Sequence, residues 1–104
     1  MDLSQKKQTI NPDTIVVASR ELVAANLDGE VVILGFQSGS YFGLDQVGAF
    51  VWELIQAPRK VTELRDRILE EYDAQPDQCE QDLTHLLEDL LEKQLIEVQV
   101  ESVV

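Results

Sequence analysis

Residues 39–54 read GSYFGLDQVGAFVWEL, and this stretch decides the order of the fold. The aromatic segment Tyr41-Phe42-Gly43-Leu44 predicts a short strand, because aromatic residues favour strands. A helical pattern follows at once, so this strand closes the sheet that precedes it. We expect it to be an edge strand, whose unpaired N–H and C=O groups must be covered or used. The sequence therefore places the candidate functional surface at residues 40–44.

The second half of the stretch predicts the first helix. Asp45 suits the N-cap position, since its carboxylate can accept hydrogen bonds from exposed first-turn amides. Gly48 costs a helix about 1 kcal/mol relative to Ala, which indicates close packing against another element. The apolar residues recur at helical spacing and predict one buried face, widened by Trp52: Val47, Phe50, Val51, Leu54 and Ile55.

Upstream of this stretch the pattern predicts a three-stranded antiparallel meander. Asp28-Gly29 lies between the strand-like segments 22–27 and 30–36 and is a strong hairpin signal. The free edges of this three-stranded sheet are then the segments 22–27 and 40–44. Residues 14–18 add a possible short strand. The central run, Val31 to Leu34, is apolar throughout. It fits a strand covered on both faces, or one covered on one face with a binding site near the other.

Downstream, two more amphipathic helices are predicted. Thr62 is the expected N-cap of the second helix, which ends near residues 73–74, and Pro76 suits the first turn of the third. The third helix gives way near Gln94 to a possible closing strand. The fold class is α+β: a three-stranded antiparallel sheet followed by a three-helix bundle, resembling a winged helix-turn-helix. Residues 1–13 and 99–104 are expected to be tails around a domain at 14–98.

Composition excludes several function classes. Twenty Asp and Glu against eight Lys and Arg give a formal net charge of -12, which opposes nucleic-acid binding. The single cysteine allows no internal disulfide and suits a reducing cytosol. The N-terminus lacks the apolar region of a signal peptide, and no apolar run approaches membrane-spanning length. We expect a cytoplasmic protein that binds neither nucleic acid nor membrane.

Catalytic and metal chemistry find little support in the residues. His85 is the only histidine and lies outside the leucine stripe of the third helix, where a solvent-facing position is expected. Cys79 reads as a small core residue, and one Cys with one His is too few ligands for zinc. The sequence predicts a binding module without a cofactor or metal, not an enzyme.

The opening stretch also resembles a known family. Its pattern, with Gly39, Tyr41 to Asp45, Gly48-Ala49 and Trp52, is similar to the G-x-Y-Y/F-x-L-[ND] and G-A-x-x-W-x-L motifs of the PqqD-like family. The resemblance extends over residues 14–98. This family is also called the RiPP recognition element, for ribosomally made, post-translationally modified peptides. The chain looks most like the stand-alone leader-binding protein of lasso-peptide pathways.

The resemblance implies a partner and a site. Members bind the leader segment of a precursor peptide between the third strand and the third helix, and the leader adds a strand to the sheet. A separate leader peptidase or another modifying enzyme is the implied second partner. Mapped onto this chain, the expected peptide-binding residues are Ser40, Tyr41, Phe42, Gly43, Leu44, Asp82, Leu86, Asp89, Leu90 and Lys93.

Four alternatives remain open at this stage. The opposite border of the third helix, with Glu80, Thr84 and Leu91, is an equally possible groove wall, and Leu86 and Leu90 fit a core position as well. A general adaptor or oligomerising subunit without leader specificity fits the same composition. A winged-helix transcription factor is disfavoured, because the third helix is rich in acidic residues.

Overall fold

The fold is α+β, as predicted, in a computed structural model that describes residues 10–37 and 39–99. The predicted tail residues 1–9 and 100–104 lie outside the described residues. The described elements are β1 Ile15–Ala18, β2 Leu22–Leu27, β3 Glu30–Gly35, β4 Tyr41–Leu44, α1 Gln46–Leu54, β5 Arg59–Lys60, α2 Val61–Glu71, α3 Pro76–Glu92 and β6 Ile96–Gln99.

The predicted meander is confirmed as an antiparallel sheet in the order β2-β3-β4. Asp28 and Gly29 both have positive φ, 55° and 85°, as a two-residue hairpin turn requires. Along β3, Val31 and Ile33 are buried in the core, whereas Leu34 is 45% exposed on the other face. The apolar run is therefore covered on one face only.

A second sheet, in the order β5-β1-β6, corrects the prediction of a single sheet followed by a helical bundle. Ile15 of β1 pairs with Lys60 on one side and with Gln99 on the other. Both partners are far away in the sequence, and β5 has two residues, too few to show strand periodicity. The pairing leaves no local signal, so the sequence pattern could not reveal it. The helices are interleaved with these strands.

Helix α1 begins as predicted, and Val51, Trp52 and Ile55 of its predicted inner face are buried. The Asp45 Oδ1 accepts a hydrogen bond from the Gly48 N–H at 2.9 Å. A Cβ at Gly48 would lie 3.1 Å from Leu44 Cδ2, which confirms the expected close packing. The buried residues of the helix are Gly48, Ala49, Val51 and Trp52, while Val47 is 36% exposed. The face predicted to be core is thus divided between the core and a neighbouring opening.

Helix α2 begins one residue before the predicted N-cap, so the assignment of Thr62 to that position is wrong. Lys60 is the N-cap. The carbonyl oxygens of Pro12 and Thr14 accept hydrogen bonds from the N–H groups of Thr62 and Val61, at 3.0 and 2.9 Å. The chain just before β1 therefore satisfies first-turn amides that a capping side chain would otherwise bind.

Helix α3 contributes one apolar stripe to the core. Pro76 occupies its first turn as predicted, and Leu83, Leu87 and Leu90 are each at most 3% exposed. Ile10, which the sequence analysis placed in the N-terminal tail, is 5% exposed and belongs to the same core. The core thus joins both sheets to α3 and fixes the distance between β4 and the helix.

Candidate functional site

Strand β4 presents an open backbone edge. The Gly35 N–H donates to the Ser40 C=O at 2.9 Å, and hydrogen-bonded and non-hydrogen-bonded positions alternate along an antiparallel pair. In the observed register, Phe42 therefore bonds to Ile33 of β3. The N–H and C=O groups of Tyr41 and Gly43 point the other way, toward the side on which no described strand pairs. Two residues thus offer up to about four backbone hydrogen bonds to a guest.

A cleft of about 500 Å³ lies beside this edge. Its walls come from β4 and from all three helices, and most of the lining side chains are apolar. The lining residues are Phe42, Gly43, Leu44, Asp45, Val47, Gly48, Val51, Ile68, Tyr72, Ala74, Cys79, Asp82, Leu83 and Leu86. An open strand edge along an apolar cleft suits an extended segment with apolar side chains.

The two aromatic residues of β4 face opposite sides of the sheet, as strand alternation requires. Phe42 is half-buried and lines the cleft. The Lys93 Nζ lies 5.8 Å from the centre of its ring, a cation–π contact. Tyr41 is 72% exposed on the outer face, where it pairs with Leu34. Phe42, not Tyr41, is the aromatic side chain that belongs to the cleft.

The two borders of α3 face different openings. Asp82 and Leu86 line the cleft beside β4, whereas Glu80 and Thr84 line a second cavity of about 100 Å³. Of the border named in the sequence analysis, Asp82 and Leu86 therefore face the same cleft as β4.

The other predicted helix residues lie outside the lining. Leu90 is 1% exposed and belongs to the core. Asp89 is exposed on the surface, and Lys93 reaches the site only through its contact with Phe42.

Sequence reasoning missed the walls that α1 and the end of α2 contribute. Val47, Ile68 and Tyr72 line the cleft, and the Phe50 ring holds Tyr72 edge-on at 5.6 Å between ring centres. Helical periodicity marks such residues as inward-facing whether they face the core or an opening beside it. Only the aromatic character of Tyr72, at the end of its helix, gave a signal that could have been used.

Cys79 lines the cleft with a thiol that is almost completely buried. Burial raises the pKa of the Cys79 thiol, so the thiol is neutral at pH 7, consistent with the predicted core role.

Within the described ranges, no group of three His, Cys, Asp or Glu residues gathers closely enough to hold a metal ion. None of the described helices is long and apolar enough to cross a membrane.

Comparison with known proteins gives one family and three similar structures. The family model of coenzyme PQQ synthesis protein D (PqqD) matches residues 30–96. The structure of TbiB1 in complex with the TbiA(beta) leader peptide is 38% identical, with a TM-score of 0.73. The match covers 82% of this chain and 99% of TbiB1. No curated protein matches the chain significantly.

Two more distant structures share the fold. Lasso peptide synthetase B1 complexed with its leader peptide is 21% identical, with a TM-score of 0.68, over 79% of this chain and 96% of that one. The PqqD truncation of Methylobacterium extorquens PqqCD is a stand-alone RiPP recognition element. It is 20% identical, with a TM-score of 0.73, over 89% of this chain and 99% of the other.

Proposed function

The chain belongs to the PqqD family, and from this premise we propose that it binds the leader segment of a ribosomally made precursor peptide. In this proposal it delivers the leader to a leader peptidase or another modifying enzyme of the lasso-peptide type. The observation that carries the proposal is the open edge of β4 along an apolar cleft, in a chain 38% identical to a protein that binds a leader peptide. The chain acts as a binding module, and a cytoplasmic location stays a prediction.

The proposed binding mode is strand addition to β4. The guest strand bonds to the backbone groups of Tyr41 and Gly43 and places alternate side chains in the cleft against α3. The proposed contact residues are those of the sequence analysis: residues 40–44 along the open strand, Asp82 and Leu86 in the cleft wall, Asp89 and Lys93 as an outer polar rim, and Leu90 as support in the core.

Backbone bonds alone do not account for binding. About four bonds at roughly 1 kcal/mol net each are offset by the roughly 2–5 kcal/mol that ordering a disordered segment costs. Burying one apolar side chain contributes about 1.5–3 kcal/mol. The leader therefore needs at least one apolar side chain in the cleft, and Phe42, Tyr72 and Leu86 are placed to receive it.

The alternative functions have less support. A winged-helix DNA-binding role requires basic side chains on a recognition helix, but α3 carries six acidic residues and no Lys or Arg between Pro76 and Glu92. A general adaptor without leader specificity does not call for an apolar cleft beside an open edge.

A calorimetric titration tests the proposal. Two synthetic probes are suitable: the leader of a precursor peptide encoded beside this chain, and the TbiA(beta) leader bound by the 38%-identical relative. We expect saturable one-to-one binding of at least one probe, with a negative heat-capacity change because apolar surface is buried. Absence of binding by both would overturn leader recognition.

The matched control separates strand addition from simple pocket binding. Gly43→Ala adds a methyl group where nothing lies within 4 Å and keeps the outward N–H, so its leader affinity should match that of the wild type. Gly43→Pro removes that N–H and should weaken binding about tenfold or more, since one bond is lost and the ring opposes the guest strand. Equal affinities of the two variants would place the leader elsewhere.

A further inference from the structure

The edge of the β2-β3-β4 sheet opposite β4 is also unpaired. No described strand pairs with β2 on that side, and five of its six residues are exposed. Natural proteins blunt exposed edges with Lys, Pro, bulges or covering segments. The sequence of β2, LVAANL, has neither a charge nor a proline. This edge is therefore open to pairing by its chemistry.

The direction of the free backbone groups follows from the ladder. The Phe36 N–H donates to the Glu21 C=O at 2.9 Å, and Val23 stands opposite Leu34 in the same register. Alternation then turns the N–H and C=O groups of Leu22, Ala24 and Asn26 away from β3. These three residues are spaced evenly about Ala24, so the edge is complementary to its own antiparallel copy.

We propose that β2 is a self-association edge, at which two copies of this chain pair antiparallel about a two-fold axis through Ala24. Ala24 stands opposite Ala24 of the second copy, and Leu22 of each copy stands opposite Asn26 of the other. Three residue pairs with two bonds each give about six backbone hydrogen bonds. Such a contact is isologous and closes on itself.

Charge favours this register. It places Arg20 opposite Asp28 of the second copy, at both ends of the pairing. Neither residue forms an ion pair with any described residue, so both charges remain available. A shift by two residues places Leu22 opposite Asp28 in the hairpin turn and leaves fewer strand residues paired. The register centred on Ala24 uses all three outward-facing residues.

Net charge sets the strength of the association. Each copy carries -12, and the mutual repulsion is screened over a Debye length of about 8 Å at physiological ionic strength. We expect a weak dimer that tightens as salt rises. Pairing at β2 leaves both β4 edges at the outer sides of a continuous sheet, so each copy keeps its proposed leader site. The dimer does not depend on leader binding.

Cysteine cross-linking tests the register with the protein alone. In a Cys79→Ala background, Ala24→Cys places two thiols at a hydrogen-bonded pair with Cα atoms about 5.5 Å apart, within the range that a disulfide spans. Ala25→Cys is the matched control, because Ala25 is equally exposed but lies opposite Val23 of the second copy. Mild oxidation should link Ala24→Cys into dimers and leave Ala25→Cys monomeric. Equal linking of both, linking of Ala25→Cys alone, or none overturns the proposal.

Sedimentation equilibrium gives an independent measurement on the wild-type chain. The dimer fraction should rise with protein concentration up to about 1 mM, the range expected for a few weak bonds. Ala24→Pro removes an outward N–H without breaking the β3 ladder and should weaken dimerisation about tenfold or more. Arg20→Asp should weaken it less, and Arg20→Lys should preserve it. A wild-type chain that stays monomeric at about 1 mM overturns the proposal.

Discussion

The two edges of one small sheet differ in their surroundings rather than in their backbone. Strand β4 turns the backbone groups of Tyr41 and Gly43 outward, and β2 does the same with three residues. Beside β4 lies a cleft lined by apolar side chains, whereas no residue of β2 lines that cleft or the second cavity beside Glu80 and Thr84. A backbone edge pairs with almost any strand. Selection of one peptide comes from the pockets beside the edge.

The largest expected effect distinguishes the core beneath the cleft, represented by Leu90, from the wall of the cleft, represented by Leu86. Leu90→Ala should lower the free energy of unfolding by about 2–5 kcal/mol, because Leu90 is 1% exposed in the core. Leu86→Ala, one turn away and half-buried in the cleft wall, should cost clearly less stability but weaken leader binding several-fold. Urea unfolding and calorimetric titration measure the two quantities. If Leu86→Ala proves the more destabilising, the cleft wall is part of the core.

The next prediction compares the edges directly by placing a proline in each. Gly43→Pro should weaken leader binding about tenfold or more and leave self-association unchanged, because it removes an outward N–H on β4 only. Ala24→Pro should have the opposite pair of effects. Titration and sedimentation of both variants make a complete comparison. A variant that impairs both activities would show that the two edges are not independent.

A smaller effect distinguishes the faces of β4. Phe42→Ala removes an aromatic wall of the cleft and should reduce leader affinity by about five- to tenfold, since apolar contact with the guest is lost. Tyr41→Ala is the matched control on the same strand, because Tyr41 lies on the outer face. Its affinity should stay within about twofold. The reverse order of effects would place the leader on the outer face.

The smallest effect concerns the cation beside Phe42. Lys93→Met removes the contact between Nζ and the Phe42 ring, worth about 0.5–1 kcal/mol at an exposed site. Because the contact positions the Phe42 ring in the cleft, its loss should lower leader affinity by at most about two- to fivefold, while Lys93→Arg should preserve it. Titration at matched ionic strength is the measurement. An unchanged affinity for Lys93→Met would limit the site to the cleft itself.

Much of the fold was predictable because its signals are local. Asp28-Gly29 specifies the β2-β3 hairpin through positive φ at both residues, and Asp45 specifies the start of α1 through one hydrogen bond to the Gly48 N–H. Pro76 likewise marks the first turn of α3. Each feature depends on neighbours within a few residues. Their positions in the sequence were therefore sufficient.

The features that the sequence predicted wrongly share one cause. Each of them depends on contacts with distant parts of the chain. Helix α2 begins earlier than predicted because the carbonyl groups of Pro12 and Thr14 accept hydrogen bonds from its first N–H groups. The second sheet depends on Ile15 pairing with Lys60 and Gln99. Val47 lies at the cleft rather than in the core because of where α2 and α3 stand.

By itself, the sequence determined the meander, the three helices, the acidic surface and the two free edges of one sheet. Periodicity, turn chemistry and capping are written in neighbouring residues, which is why they can be read in order. Only the tertiary structure decided that Phe42 rather than Tyr41 faces the cleft, that Leu86 lines it and that Leu90 does not. A cleft is the space that packed elements leave between them, and that space depends on contacts between residues far apart in the chain.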